Sequence, residues 1–493
     1  MKPKAVLPFL LALLPMPAVA ATVDSLDFGR FGRVALYGTA RPPEEVVLFV
    51  SGDGGWNQGV VSMARHLSDL GALVVGIDIR RYLRSLAAGH ESCSYPAGDF
   101  ELLSKFVQKS LDRPVYLEPI LVGYSSGATL VYATLAESPE NTFKGALSLG
   151  FCADLPIDRP FCRGSGLIAN PVPHGKGYLF EPSANLPAPW IALQGQIDKV
   201  CGPAEVDRFG REAHPAEVVA LPHVGHGFSV EKNWRPQFED AYRRLAAAGA
   251  EGETVESAAG DAAARDGQSA SGDPAPAAGA VEPAAPPRPK ELPLVEVPAR
   301  AGTSDTLAVI VSGDGGWSGL DKSVAATLAG RGIDTVGLNS LKYFWTARTP
   351  DGAAADLHAI LAHYLLRWKK ERILLIGYSF GAEVLPFMMA RLPEDLRQRV
   401  RLLTLIGPGP TASFAFHVAE WLGRDDPDAR PILPEIERLV GSRILCLGGE
   451  DEKDSLCRKL KPEQATSEIV PGGHHFGGDY GAIADRILAR AGE

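Results

Sequence analysis

Short unbroken apolar runs alternate with stretches of helical period along this chain, and the whole alternation occurs twice. In the first half, Val46–Val50 is a β-type run, Val60–Leu70 places apolar residues at helical spacing, and Ala72–Ile77 is apolar throughout. Further runs follow at Ile120–Val122, Ala146–Leu149 and Ile191–Leu193. The second half keeps the order: Leu307–Val311, a helical stretch Val324–Arg331, then Asp334–Leu338, Arg372–Ile376, Leu402–Ile406 and Ile444–Leu447. Runs without period-two alternation predict strands buried on both faces, and strands separated by helices predict mainly parallel sheets. The pattern therefore predicts two tandem α/β domains.

Between the repeats, residues 246–292 consist mostly of Ala, Gly, Pro, Glu, Ser and Asp, with almost no large apolar side chains. Such a segment cannot bury enough surface to offset the entropy of ordering it, so it reads as a disordered linker. About 45 flexible residues span roughly 35–40 Å, which tethers the domains, 21–245 and 293–493, without forcing them into contact.

Two motifs recur with the strands. The hexapeptide Ser-Gly-Asp-Gly-Gly-Trp follows the first run of each half, as Ser51–Trp56 and as Ser312–Trp317. Later in each half an apolar strand ends in Gly-Tyr-Ser-x-Gly-Ala and a helix-forming stretch begins, with Ser125 and Ser379 at the centre. Strand, Gly-x-Ser-x-Gly turn and helix form the context of a nucleophile elbow, which points to two α/β-hydrolase-like domains. Acyl transfer at such a serine needs a base, an acid that orients the base, and donors for the oxyanion, in the chain order Ser, Asp/Glu, His.

In the second half Ser379 is the candidate nucleophile. One oxyanion donor would be the N–H of Phe380, and the second that of Asp314 or Gly315 in the glycine-rich loop after the first strand. The base falls in Gly473-His474-His475-Phe476. Shared Gly-His-x-Phe shape selects His474, whereas an ungapped match from Pro222 and Pro471 selects His475. For the acid, laying Ile444 on Ile191 puts Asp451 on Asp198 and makes Asp451 the first choice, with Glu452 and Asp454 as alternatives. The first half offers a second set, Ser125, Asp198 and His226, with Asp53 and Gly54 in its oxyanion loop.

Composition narrows the functional classes. A net charge of −10 and no Lys/Arg-rich stripe argue against nucleic-acid binding. Lys2 and Lys4, the apolar run Ala5–Leu14 and Ala18-Val-Ala20 read as a signal peptide, residues 1–20, cleaved after Ala20. Export permits disulfides, and the six cysteines divide four and two between the halves, so pairing is expected within each half. No cysteine pair has metal-ligand spacing, so neither a metal nor a cofactor is expected.

Combined with Ser340-Leu-Lys-Tyr-Phe-Trp345, Arg348-Thr-Pro350 and Gly-Gly-His-His-Phe476, these motifs resemble the VirJ/AcvB family of bacterial virulence proteins. The stronger match covers about residues 300–490 and a diverged copy covers about 30–245. The resemblance implies a periplasmic α/β-hydrolase-like protein. It implies a serine esterase that hydrolyses the aminoacyl ester of aminoacyl-phosphatidylglycerol, mostly lysyl-phosphatidylglycerol, through an acyl-enzyme on Ser379. The partner would be an aminoacylated phospholipid at the membrane surface, with Glu383, Asp314 or the 450–454 carboxylates favouring its ammonium groups. Tyr343, Phe344 and Trp345 would be a substrate-facing wall or core. Two alternatives stand beside this reading: a carboxylesterase or thioesterase of other specificity, and a non-catalytic module binding envelope secretion proteins.

Overall fold

Both apolar series form sheets in the computed structural model, which describes residues 22–38, 41–173, 175–261, 292–300, 304–417, 426 and 428–492. The first sheet runs, edge to edge, Thr22–Phe28, Gly32–Gly38, Ala72–Ile77, Glu45–Val50, Ile120–Tyr124, Gly145–Leu149, Trp190–Gly195, Ala216–Leu221. The second runs Leu294–Val297, Asp334–Leu338, Thr306–Val311, Arg372–Tyr378, Val400–Ile406, Ile444–Gly449, Thr466–Val470. Without the extra edge strand Thr22–Phe28, the two orders correspond strand for strand. Only the pairings of Gly32–Gly38 and of Leu294–Val297 are antiparallel. Each half therefore has the α/β-hydrolase fold.

Helices cover both faces of each sheet, which is why the central strands are apolar at nearly every position. Ile373–Tyr378 are all buried. Side chains of that strand divide between two cores: Ile373 and Leu375 on one face, Leu374 and Ile376 on the other. The two Trp residues of the hexapeptides have a packing role. Trp56 lies flat against Gly76 and Trp317 against Gly337, where any β-carbon would meet the indole.

Two features add to the expected organisation. The last helix of the first half, Arg235–Asp261, continues past residue 246 into the expected linker. Its Ala- and Glu-rich composition has high helix propensity. Residues 262–291, like the signal peptide, lie outside the described residues. The halves also touch. Trp345 Nε1 donates to the Arg113 carbonyl at 2.8 Å, Lys109 Nζ to the Trp345 carbonyl at 2.6 Å, and the Tyr116 and Trp345 rings are 5.1 Å apart.

Candidate active site

Ser379 sits between the strand Arg372–Tyr378 and the helix Phe380–Ala390 with φ 51° and ψ −120°. A non-glycine residue in this region is strained by about 1–3 kcal/mol, and the strain exposes the hydroxyl above the sheet. The turn closes because Gly377 and Gly381 lack side chains: a β-carbon on either would run into the carbonyl of Gly381 or of Val311.

The hydroxyl meets a base and an acid. Ser379 Oγ is 2.8 Å from His474 Nε2, and His474 Nδ1 is 2.5 Å from Glu452 Oε1. Glu452 Oε2 accepts from the Gly449 N–H at 2.7 Å, which fixes the carboxylate. Asp451, the first choice from sequence, is exposed, with its carboxylate beside Gly473 and not at the ring. Asp454 is exposed as well. The cause is a one-residue slip in the match. Trp190–Gly195 and Ile444–Gly449 are both six-residue strands ending in glycine, so Gly449 corresponds to Gly195. In each half the acid lies three residues on and closes the same turn, with Asp198 N to Gly195 O at 3.2 Å and Glu452 N to Gly449 O at 3.1 Å. Matching the terminal glycines would have selected Glu452.

Of the two adjacent histidines, His474 faces the serine. Each base loop turns identically, with Phe228 N bonded to Gly225 O and Phe476 N to Gly473 O. His475 points to Tyr378 instead, whose hydroxyl lies 3.1 Å from Nδ1 and donates to the His474 carbonyl at 3.3 Å. Loss of hydration, then the neighbouring His474, lowers the His475 pKa and keeps that ring neutral. Burial pushes the Tyr378 hydroxyl up, so it stays a donor. Tyr124 does the same in the first half, donating to the His226 carbonyl at 3.0 Å. This tyrosine, which holds the base loop, was missed from sequence although Gly-Tyr-Ser occurs in both halves.

In the glycine-rich loop Ser312 is fully buried and accepts from the Ser340 N–H at 2.9 Å, so this serine is structural. Gly313 packs on the nucleophile, since a β-carbon there would lie 3.5 Å from Ser379 Cβ. Asp314 follows, and at Gly315 an added β-carbon would lie 3.7 Å from Oε1 of Glu101 in the first half. The N–H of Phe380 opens its helix and has no intrahelical acceptor.

The first half holds this loop from outside. Lys105, on the helix Pro96–Ser110, donates to the Asp314 carbonyl at 3.0 Å and pairs with Glu101 at 2.8 Å. Its side chain is 3% exposed. Burial works against the charge, but Glu101 and Asp314 outweigh it and raise the pKa above the usual lysine value. At the other end of the loop Asn141 Nδ2 donates to the Trp317 carbonyl at 3.0 Å. No sequence signal marks Lys105 or Asn141, because their partners lie in the other half.

The aromatic triplet is core. Tyr343, Phe344 and Trp345 are all buried. Phe344 packs on Phe380 behind the elbow, with ring centroids 4.9 Å apart. Arg348 stacks on Tyr343 at 4.5 Å, and Thr349 caps the helix that begins at Pro350.

The first half brings its own three residues together. Ser125 has φ 54° and ψ −123°, its Oγ is 2.9 Å from His226 Nε2, and His226 Nδ1 is 2.9 Å from Asp198 Oδ2. Gly52 takes the place of Gly313: a β-carbon there would lie 3.0 Å from Ser125 Cβ. Asp198 and His226 also form a group with Cys201 that has metal-ligand chemistry, but Cys201 is in a disulfide. A second such group, His417, Asp426 and Asp428, lies away from both serines in sequence and is partly exposed.

Pairing of the cysteines stays within halves, as Cys93–Cys162, Cys152–Cys201 and Cys446–Cys457. The last encloses the loop that carries Glu452, and Cys201 lies three residues after Asp198. Serine at both 446 and 457 is expected to destabilise the second domain by about 3 kcal/mol, read as a fall in its denaturant midpoint.

The family model described as "Bacterial virulence protein (VirJ)" matches residues 44–151 and 305–492. The chain belongs to the VirJ family. The match covers all of the second domain's site and stops in the first half before Asp198 and His226. No curated protein matches the chain in sequence. Among solved structures, the esterase domain of a Rhodothermus marinus protein is 16% identical with a TM-score of 0.32, over 46% of this chain and 98% of that one. XC6422 from Xanthomonas campestris, described as an α/β serine hydrolase without lid, is 20% identical with a TM-score of 0.32, over 47% and 97%. Among the described residues of this VirJ-family chain, no helix is long and apolar enough to cross a membrane. Disulfides in both halves accord with an exported protein.

Proposed function

We propose that this VirJ-family protein is a periplasmic serine hydrolase that cuts the ester joining an amino acid, lysine foremost, to phosphatidylglycerol. The observation that carries the reading is the unbroken Ser379–His474–Glu452 relay on a strained elbow. Family membership supports the substrate class. Glu383, one helical turn beyond Ser379, supports a cationic acyl group, whereas Glu101 and Asp314 are paired with Lys105.

In the reaction His474 Nε2 takes the hydroxyl proton as Ser379 Oγ attacks the aminoacyl carbonyl carbon. Glu452 balances the imidazolium, and the Phe380 and Asp314 amides receive the oxyanion. The phosphatidylglycerol oxygen leaves with the proton from His474. Water, deprotonated by the same ring, then attacks the acyl-enzyme and releases the amino acid. Tyr378 keeps the base loop in place through both steps.

The test uses the full chain and vesicles containing lysyl-phosphatidylglycerol. Free lysine should accumulate catalytically, and prior treatment with a fluorophosphonate that modifies serine should stop it. A protein that labels on Ser379 yet releases no lysine would remove this substrate and leave an esterase of other specificity. A protein that neither labels nor hydrolyses favours a binding module.

A further inference from the structure

We infer that the first half is a second, independent hydrolase site, built on Ser125 and suited to esters of apolar acyl chains. Its machinery is complete. Ser125, His226 and Asp198 stand at hydrogen-bond distances, and the elbow at Ser125 has the same left-handed backbone as at Ser379. The acid is held more firmly than its counterpart. The Asp198 side chain is wholly buried, and it accepts from Val200 N, Cys201 N and Gln194 Nε2 as well as facing the imidazole. Ser126 opens its helix as Phe380 does, leaving an amide beside the nucleophile.

The surroundings of this serine differ in kind from those of Ser379. The loop that carries Asp198 exposes Ile197 and Val200, at 59% and 67%. Ile197 also bonds through its backbone to Val224, in the loop that carries His226. Val230, four residues after His226, is 47% exposed. Beside these lies a cleft of about 470 Å³ whose apolar lining includes Phe151, Leu179, Val200, Phe209 and the Cys152–Cys201 disulfide, with the exposed side chains of Asp154, Glu181, Glu205, Arg208 and Glu212 around it. Its Phe151 directly follows Gly150, where an added β-carbon would lie 3.4 Å from the His226 ring. The exposed Ile197 and Val200 and the apolar part of the cleft fit an acyl chain lying there with its carbonyl at Ser125. The Tyr-Phe-Trp and Arg-Thr-Pro pieces of the other half are absent here, where Ile79-Arg-Arg-Tyr-Leu stands instead.

Chemically, Ser125 Oγ attacks the acyl carbonyl carbon and its proton passes to His226 Nε2. The alcohol leaves with that proton, and water then frees the carboxylic acid and restores the serine. The chain would thus carry two acyl-transfer sites of different acyl preference, one amino-acid-like and one apolar.

The experiment uses the full chain with Ser379→Ala, so that its outcome is independent of the aminoacyl-phosphatidylglycerol reading. This variant should take one fluorophosphonate label, on the Ser125 peptide. It should hydrolyse p-nitrophenyl octanoate with kcat/KM above that for the acetate by about tenfold or more. Ser379→Ala/Ser125→Ala should lose both signals while keeping its circular dichroism. Val200→Glu should cut the octanoate rate and spare the acetate. Absence of label and turnover in folded Ser379→Ala protein overturns the second site. Equal rates on acetate and octanoate overturn its apolar preference.

Discussion

Glutamine in place of Glu452 is expected to lower kcat at the Ser379 site by about four orders of magnitude, while Asp451→Asn leaves it essentially unchanged. Glu452 Oε1 lies 2.5 Å from His474 Nδ1 and its other oxygen is anchored by the Gly449 amide. An amide at this position keeps the shape but presents an NH2 to one of those donors. The imidazole then turns to the tautomer whose Nε2 carries the proton and can no longer accept from Ser379. Asp451 is exposed and lies beside Gly473 instead of at the ring, so its charge has no part in orienting it. The measurement is p-nitrophenyl acetate turnover in a Ser125→Ala background, which silences the other half. A large loss for Asp451→Asn with none for Glu452→Gln would sink the assignment.

Lys105→Met is expected to slow the same site by about a hundredfold, although Lys105 belongs to the other domain. Methionine retains the packing of the buried stem and removes the ammonium. The Asp314 carbonyl then loses its donor and Glu101 its partner. The peptide that ends in that carbonyl adjoins the one whose N–H is proposed to receive the oxyanion, so rotation of the loop would withdraw that donor. Removing such a donor acts on the transition state, so kcat should fall while KM changes little. Fluorophosphonate labelling separates this from unfolding: Ser379 should label more slowly and Ser125 at its ordinary rate. An unchanged Ser379 rate would mean that the loop is held without Lys105, by the Gly313–Gly316 bridge and the Asn141 contact at its other end. The result would also test whether the first half works as a support for the second, besides any chemistry of its own.

What the chain alone determined was the part of the design that is local. A buried parallel strand must be apolar at every position, and a nucleophile elbow must place glycines two residues either side of its serine. These constraints made the two α/β halves, Ser125 and Ser379 readable from residue order. Gly-His-x-Phe identified His474, since Gly473 and Phe476 close the turn that aims it. The identity of the acid was not readable to the same degree. A loop of adjacent carboxylates differs in function by one position, and only the strand end at Gly449 decides which of them reaches the ring. The role of the Tyr-Phe-Trp segment was likewise settled by packing, which turned a prospective substrate wall into core beneath Phe380. Lys105 and Asp314 are 209 residues apart and meet only because the two folded halves dock. A contact between domains leaves no periodicity and no motif in either one, so the tertiary structure alone could show it.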